Sequence, residues 1–196
     1  MIIGLSGRMQ SGKNTTAAII NQLTNNMFVE KGFATKLKEC ASIITGITRA
    51  DFERIEVKNS IISPDWGDLT VRKFLQLFGT EVGRAIHPNF WINALFADYE
   101  PIDRRTEQDP DDSNITYPNW IITDVRFPNE GNAIRSRGGI LIRLRRNHDV
   151  HSEHASETAL DDCLTMDYYI DNTNTTIDEL IAMVRDILIA EKIIKG

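Results

Sequence analysis

The sequence predicts an α/β fold, a mostly parallel central sheet with helices on both faces, and three observations predict it. Short apolar runs at 2–5, 120–123 and 140–144 have the length of buried strands. Stretches of helical periodicity alternate with them. Within the opening segment MIIGLSGRMQSGKNTT, the first run passes into Gly7, four residues, then Gly12 and Lys13. That spacing joins a strand to a helix through a phosphate-binding loop.

The loop carries the first chemical expectation. Gly7 and Gly12 permit backbone conformations and a closeness of approach that a side chain would block, so successive amides can turn inward around phosphate oxygens. Lys13 adds a point charge, and the helix starting there aims its positive end at the same anion. The nucleotide-binding set is therefore Gly7, Arg8, Gln10, Ser11, Gly12, Lys13, Asn14 and Thr15. The usual pattern has Ser or Thr directly after the lysine to hold magnesium; here Asn14 stands there, with Thr15 and Thr16 following.

Further along, Ile20, Leu23 and Met27 give the first helix an apolar face until Gly32 stops it. A second strand is expected over 33–37 and a short helix over 41–47, closed by Gly46. The polar stretch 49–66 gives little signal, and Pro64 with Gly67 marks a loop. From Leu69, Val71, Phe74, Leu75, Phe78 and Val82 recur at helical spacing, with Arg72, Gln76 and Gly79 on another face. A helix after Pro88 carries Phe90, Trp91, Ala94 and Leu95. Segment 98–119, with seven acidic residues and three prolines, reads as a surface loop. After the 120–123 strand, Pro128 and Asn129 open a helix that Gly138 and Gly139 close. A last strand is expected over 168–170. Thr176 and Glu179 form a capping box for a final helix burying Ile177, Leu180, Ile181, Val184 and Leu188.

Bulk properties narrow the function classes. A chain of 196 residues is expected to form one domain. A net charge of −6 argues against a surface that grips nucleic acid throughout. Cys40 and Cys163 lie far apart without CxxC spacing, so reduced thiols are expected. Neither a signal segment nor a membrane-spanning run is expected, which points to the cytoplasm.

In such a sheet ligands sit beyond the carboxyl ends of the strands. Asp124, ending the 120–123 run, is expected to organise Mg²⁺, directly or through water. From 124 to 146 six arginines face two acids, a local reversal of the overall charge. Arg135 and Arg137 fall late on a helix; Arg126, Arg145 and Arg146 fall where loops leave strands, so these three are the expected catalytic cations. His148, His151 and His154 recur every three residues, but the polar stretch around them fits a lid better than a zinc site. Glu157 fits either an arginine partner or a substrate contact. Among the aromatics, Trp91, close to the turn at His87-Pro88, is the expected base-stacking residue.

The chain resembles the deoxynucleoside monophosphate kinases of tailed bacteriophages in four blocks: GRMQSGKNT at 7–15; VRKFLQLFGTEVGR with IHPNFWINALFADY over 71–99; WIITDVRFPNE at 120–130; and HASETALD with YYIDN near the C-terminus. The resemblance implies a P-loop kinase fold with a short lid, transferring the γ-phosphate of ATP to a deoxynucleoside 5′-monophosphate. It places Lys13 and the loop amides on ATP. Arg72, Gln76, Thr80 and Trp91 fall in the block that helps form the monophosphate pocket, Arg145 and Arg146 begin the lid, and a homodimer is implied. The P-loop departure is similar to nucleoside monophosphate kinases, where the hydroxyl comes one residue later and magnesium is held largely through water and nucleotide. Two readings compete: a kinase of another phosphorylated metabolite, of dephospho-coenzyme A or phosphomevalonate kinase type, and a nucleotide-binding regulator without turnover.

Overall fold

The computed structural model describes residues 1–105, 114–146 and 165–196. In chain order the elements are β1 Ile2–Ser6, α1 Lys13–Leu23, β2 Val29–Lys31, α2 Phe33–Thr45, α3 Ile55–Asn59, α4 Val71–Gln76, a π-helical segment Leu77–Val82, α5 Gly83–Ile86, α6 Phe90–Phe96, β3 Ile102–Asp103, β4 Ile115–Thr116, β5 Trp120–Val125, α7 Pro128–Arg135, β6 Ile140–Arg145, β7 Tyr168–Asp171 and the last helix, here α8, Ile177–Ala190. By contacts the chain divides into two units, Met1–Lys31 with Tyr99–Gly196, and Gly32–Asp98.

The first unit holds a five-stranded sheet of order β2-β5-β1-β6-β7, every pair parallel. β1 lies at its centre, which explains why all five of its residues are buried. Its alternate residues serve the two faces. Ile3 and Leu5 join Ala17 and Ile20 of α1, and Leu180, Val184 and Leu188 of α8, in one core cluster. Gly4 belongs to the other face, where a Cβ would fall 2.7 Å from Ile134 of α7 and from Leu141. The expected α/β class, with a parallel sheet covered on both faces, is what the chain forms.

Local rules account for most boundaries. Thr176 accepts from the Glu179 amide at 3.3 Å while Glu179 accepts from the Thr176 amide at 2.8 Å, the expected capping box. Gly46, in the left-handed region, ends α2, and Gly138 follows α7 in the same region.

Four expectations are corrected. α1 stops at Leu23, since Asn25 and Asn26 both take positive φ, and Met27 lies outside the helix and exposed. The second strand is Val29–Lys31, and Phe33, Leu37 and Ala41 are one face of a single helix: i, i+4, i+8 is a helical period that a strand reading of 33–37 missed. Segment 98–119 contains the antiparallel ribbon β3-β4. Ile177 is 55% exposed, whereas Ile187 is buried in its stead. Of the lid, only Arg145 and Arg146 are described; His148, His151, His154, Glu157 and Cys163 lie outside the described residues.

The second unit is helical around Ala41, Phe52 and Val71. Its helical run 71–86 is interrupted by the π turn, where the Gly83 N–H reaches back to the Phe78 carbonyl, five residues away. On its surface Glu53 pairs with Lys38 at 2.8 Å and Arg49 at 2.7 Å, with Lys58 at 3.7 Å. Burial pushes the Glu53 carboxyl up, but the hydrogen bonds from Lys38 and Arg49 and the charges of Lys38 and Lys58 outweigh it and bring it down to about 2 from 4.5. A carboxyl depressed on folding adds stability above its unfolded value and loses it as pH falls through the folded one. Between about pH 5 and pH 3, urea unfolding should therefore show a larger loss of stability for the wild-type chain than for Glu53→Gln. Equal losses would mean that the four charges do not act as a group.

Candidate active site

The donor loop is built at the carboxyl end of β1, between that strand and α1. Gly7 has φ +150 and Gly12 φ +103, and neither position has room for a side chain. At Gly7 a Cβ would fall 2.6 Å from the Leu144 carbonyl oxygen and 2.5 Å from Ser11 Oγ; at Gly12 it would fall 2.4 Å from Asn172 Nδ2. The Ser11 amide donates to the Arg8 carbonyl at 3.2 Å and closes the turn. Lys13 Nζ bends back over the loop, donating to the Gly7 carbonyl at 2.6 Å and the Arg8 carbonyl at 2.7 Å. The ammonium is thus drawn to the loop mouth. Asn14 and Thr15 are exposed beside it, while Thr16 is fully buried. Among the described residues two buried side-chain oxygens, Ser11 Oγ and Thr16 Oγ1, have no hydrogen-bond partner.

β5 brings Asp124 to the same end of the sheet. Gly4 pairs with Ile122 but Ser6 pairs with Val125, so β5 carries one extra residue between them. This bulge changes the phase of the strand: Ile122 and Val125, three apart, both pack, and Thr123 and Asp124 are left half-buried. The turn that follows is pinned by Glu130. Its carboxylate, only 5% exposed, accepts from the backbone amides of Arg126 at 2.7 Å and Phe127 at 3.0 Å. Glu130 occupies the third position of α7, after Pro128 at the first, so a capping signal could have identified it.

The arginines separate by task. Arg135 donates to Asp167 at 3.0 Å and to the Thr165 carbonyl, and Asp167 in turn accepts from the Leu141 amide, so Arg135 braces the β6-β7 edge. Arg137 donates to the Ala133 carbonyl at 2.8 Å, the helix-end role expected of it. Arg143 donates to Ser6 Oγ at 3.1 Å. Arg126, Arg145 and Arg146 are exposed. Arg145 lies over the Tyr169 ring, 5.3 Å from its centroid, and Arg146 reaches the Gln10 carbonyl at 3.5 Å. Asp171, at the end of β7, is held below the ordinary carboxylate range by hydrogen bonds from Thr173, with the Arg145 charge adding to them.

In the second unit Arg72 is exposed and donates through Nε and Nη2 to Asn59 Oδ1, both at 3.2 Å. Gln76 ends α4 and Thr80 lies within the π turn. Trp91 is only 8% exposed. Its Nε1 donates to the Gly79 carbonyl at 2.8 Å, and its ring meets Phe78 and Phe90 edge to face. The expected base-stacking ring is thus committed to packing. It sits against Gly83, where a Cβ would fall 2.5 Å from Nε1.

A parallel sheet whose central strand runs into a glycine-bounded loop, a lysine and a helix defines a P-loop nucleotide-binding protein. The model of the deoxynucleotide monophosphate kinase family matches residues 35–184, and the chain belongs to that family of enzymes. It is 27% identical over 194 residues to a protein of Acanthamoeba polyphaga mimivirus provisionally named a deoxynucleotide monophosphate kinase, covering 94% of each chain. It is 25% identical to the deoxynucleoside-5′-monophosphate kinase of Escherichia phage T5, covering 82% of this chain and 85% of that one. Among solved structures, a dephospho-CoA kinase from Campylobacter jejuni aligns over 97% of each chain, with 19% identity and a TM-score of 0.47.

The crowding at Gly7 gives a direct test. A Gly7→Ala chain must carry both a disfavoured φ and a contact with the Leu144 carbonyl, a cost of about 2 kcal/mol or more. Its thermal midpoint should fall and its affinity for ADP with it; unchanged values for both would show that the loop has room to spare.

Proposed function

We propose that the chain transfers the γ-phosphoryl group of ATP to the 5′-phosphate of a deoxynucleoside monophosphate, giving ADP and the deoxynucleoside diphosphate. The observation that carries the donor side is the loop itself, with two glycines that admit no side chain and Lys13 Nζ held at its mouth. An oxygen of the acceptor phosphate attacks the γ-phosphorus in line, and the bond from that phosphorus to the β-phosphate oxygen breaks. The acceptor is already anionic, so no strong base is required. Catalysis consists of positioning and charge neutralisation.

Gly7, Arg8, Gln10, Ser11, Gly12, Asn14 and Thr15 are proposed to bind the triphosphate, with Lys13 on its β- and γ-phosphates. Arg126, Arg145 and Arg146 are proposed to reach the phosphates; their exposure at the ends of β5 and β6 supports this. Magnesium suits the donor set. Among the described residues no three His, Cys, Asp or Glu gather into a metal cage. Mg²⁺ characteristically takes one or two carboxylates and completes its shell with phosphates and water, and Asp124 supplies such a carboxylate. When bound, the ion would neutralise charge on the triphosphate.

The acceptor is assigned to the second unit through Arg72, Gln76 and Thr80, and Glu157 remains a proposed substrate residue. Trp91 would act there by holding the Gly79 carbonyl and so the turn that carries Thr80. The two units would work as a single kinase domain, a homodimer acting on small nucleotides without nucleic acid or membrane, in the cytoplasm of the cell that contains it. The net charge of −6 supports the first of these exclusions. Among the described residues no helix is long and apolar enough to cross a membrane.

Parallel assays of ADP release with the deoxynucleoside and ribonucleoside monophosphates, dephospho-coenzyme A and phosphomevalonate separate this reading from its competitors. Lys13→Ala should lower the rate of transfer about a hundredfold or more, ~3 kcal/mol, with the fold intact by circular dichroism. Activity within a factor of a few would remove the P-loop from the mechanism. Arg72→Ala should raise the KM for the monophosphate far more than that for ATP; the opposite pattern would move Arg72 to the donor side.

A further inference from the structure

We propose that Asn172 is a positioning residue for the donor loop, fixing the orientation of the Ser11–Gly12 peptide. Asn172 follows β7 and is only 8% exposed. Its Nδ2 donates to the Ser11 carbonyl at 3.0 Å, and the absence of a Cβ at Gly12 is what lets the carboxamide come so close. Its backbone amide donates to the Arg145 carbonyl at 2.8 Å, so one residue ties the end of β6 to the loop.

The consequence follows from peptide geometry. In a planar trans peptide the C=O and N–H point in opposite directions. Holding the Ser11 oxygen toward β7 therefore turns the Gly12 N–H the other way. Gly12 precedes the first residue of α1, so its amide belongs to the group of helix-start donors that have no partner within the helix. Glycine, with φ +103, would otherwise allow this peptide plane to rotate at little cost. Asn172 removes that freedom, and it does so before any ligand arrives. The inference rests on the reading of this loop as the ATP site.

The test uses the full chain and ADP with Mg²⁺, measured by titration calorimetry. Asn172→Asp keeps the shape but changes the proton count: ionised, the side chain has no hydrogen to donate, whereas the neutral acid has one. At about pH 8 this variant should bind ADP about tenfold or more weakly than wild type, and the gap should narrow as pH falls toward about 4, where an ordinary aspartate takes up its proton. Asn172→Ala should raise the KM for ATP about tenfold while moving that for the monophosphate less than twofold. If Asn172→Asp matches wild-type ADP affinity at every pH and Asn172→Ala lowers only the thermal midpoint, the inference is overturned and Asn172 is a packing residue. A wild-type chain that binds no ADP overturns the donor reading, and this inference with it.

Discussion

The arrangement of the first unit depends on one constraint: between Gly7 and Gly12 the backbone must come close to its neighbours, without any Cβ between them. The neighbours are themselves backbone or buried polar groups, the Leu144 carbonyl beside Gly7 and the Asn172 carboxamide beside Gly12. Both come from the far side of β1, from the ends of β6 and β7. A loop that folds against the ends of two later strands can form only when those strands are in register, and the parallel pairing Leu5↔Ile142, Ser6↔Arg143 and Leu144↔Ile170 supplies that register. The phosphate loop is local in sequence, but its conformation is a property of the whole sheet.

In the second unit the same kind of constraint acts through a helix. An α-helix would send the Gly83 amide to the Gly79 carbonyl; here it goes to Phe78, and Trp91 Nε1 donates to Gly79. Gly79 must also admit Leu37, and Gly83 must admit the indole, since a Cβ at either position would fall within 2.8 Å of those side chains. The two glycines of the GTEVGR block are therefore explained by packing. A π turn displaces the residues beyond it by one place relative to an unbroken helix, so a helical wheel drawn through 69–83 cannot assign faces correctly at both of its ends.

What the sequence made legible follows from how local each cause is. The β1-loop-α1 unit, the β5 and β6 runs, the Pro128 start of α7 and the Thr176–Glu179 box are set by residues a few places apart, and all were readable. The strand expected over 33–37 failed because five residues with apolar ends at Phe33 and Leu37 are too short to separate the two periods, and only the continuation to Ala41 and Thr45 decides for helix. Met27 failed because two asparagines in the left-handed region end a helix without any glycine to announce it. Asn172 lies 161 residues from the loop it holds, and no spacing rule reaches that far.

Counting arginines points to a region but not to the task of each side chain. Six of them from 124 to 146 signalled a basic strand end, but a charge already engaged in a structural contact is costly to redirect. Arg135 holds Asp167, Arg137 covers the carbonyl end of α7, and Arg143 serves Ser6. Arg126, Arg145 and Arg146 are exposed, and Arg145 lies over the Tyr169 ring. The three arginines that the sequence already set apart, Arg126, Arg145 and Arg146, keep their place in the proposal through their exposure at the strand ends. Trp91 differs from them in burial: a side chain whose hydrogen bonds and packing are already satisfied inside the fold has little left to offer a substrate.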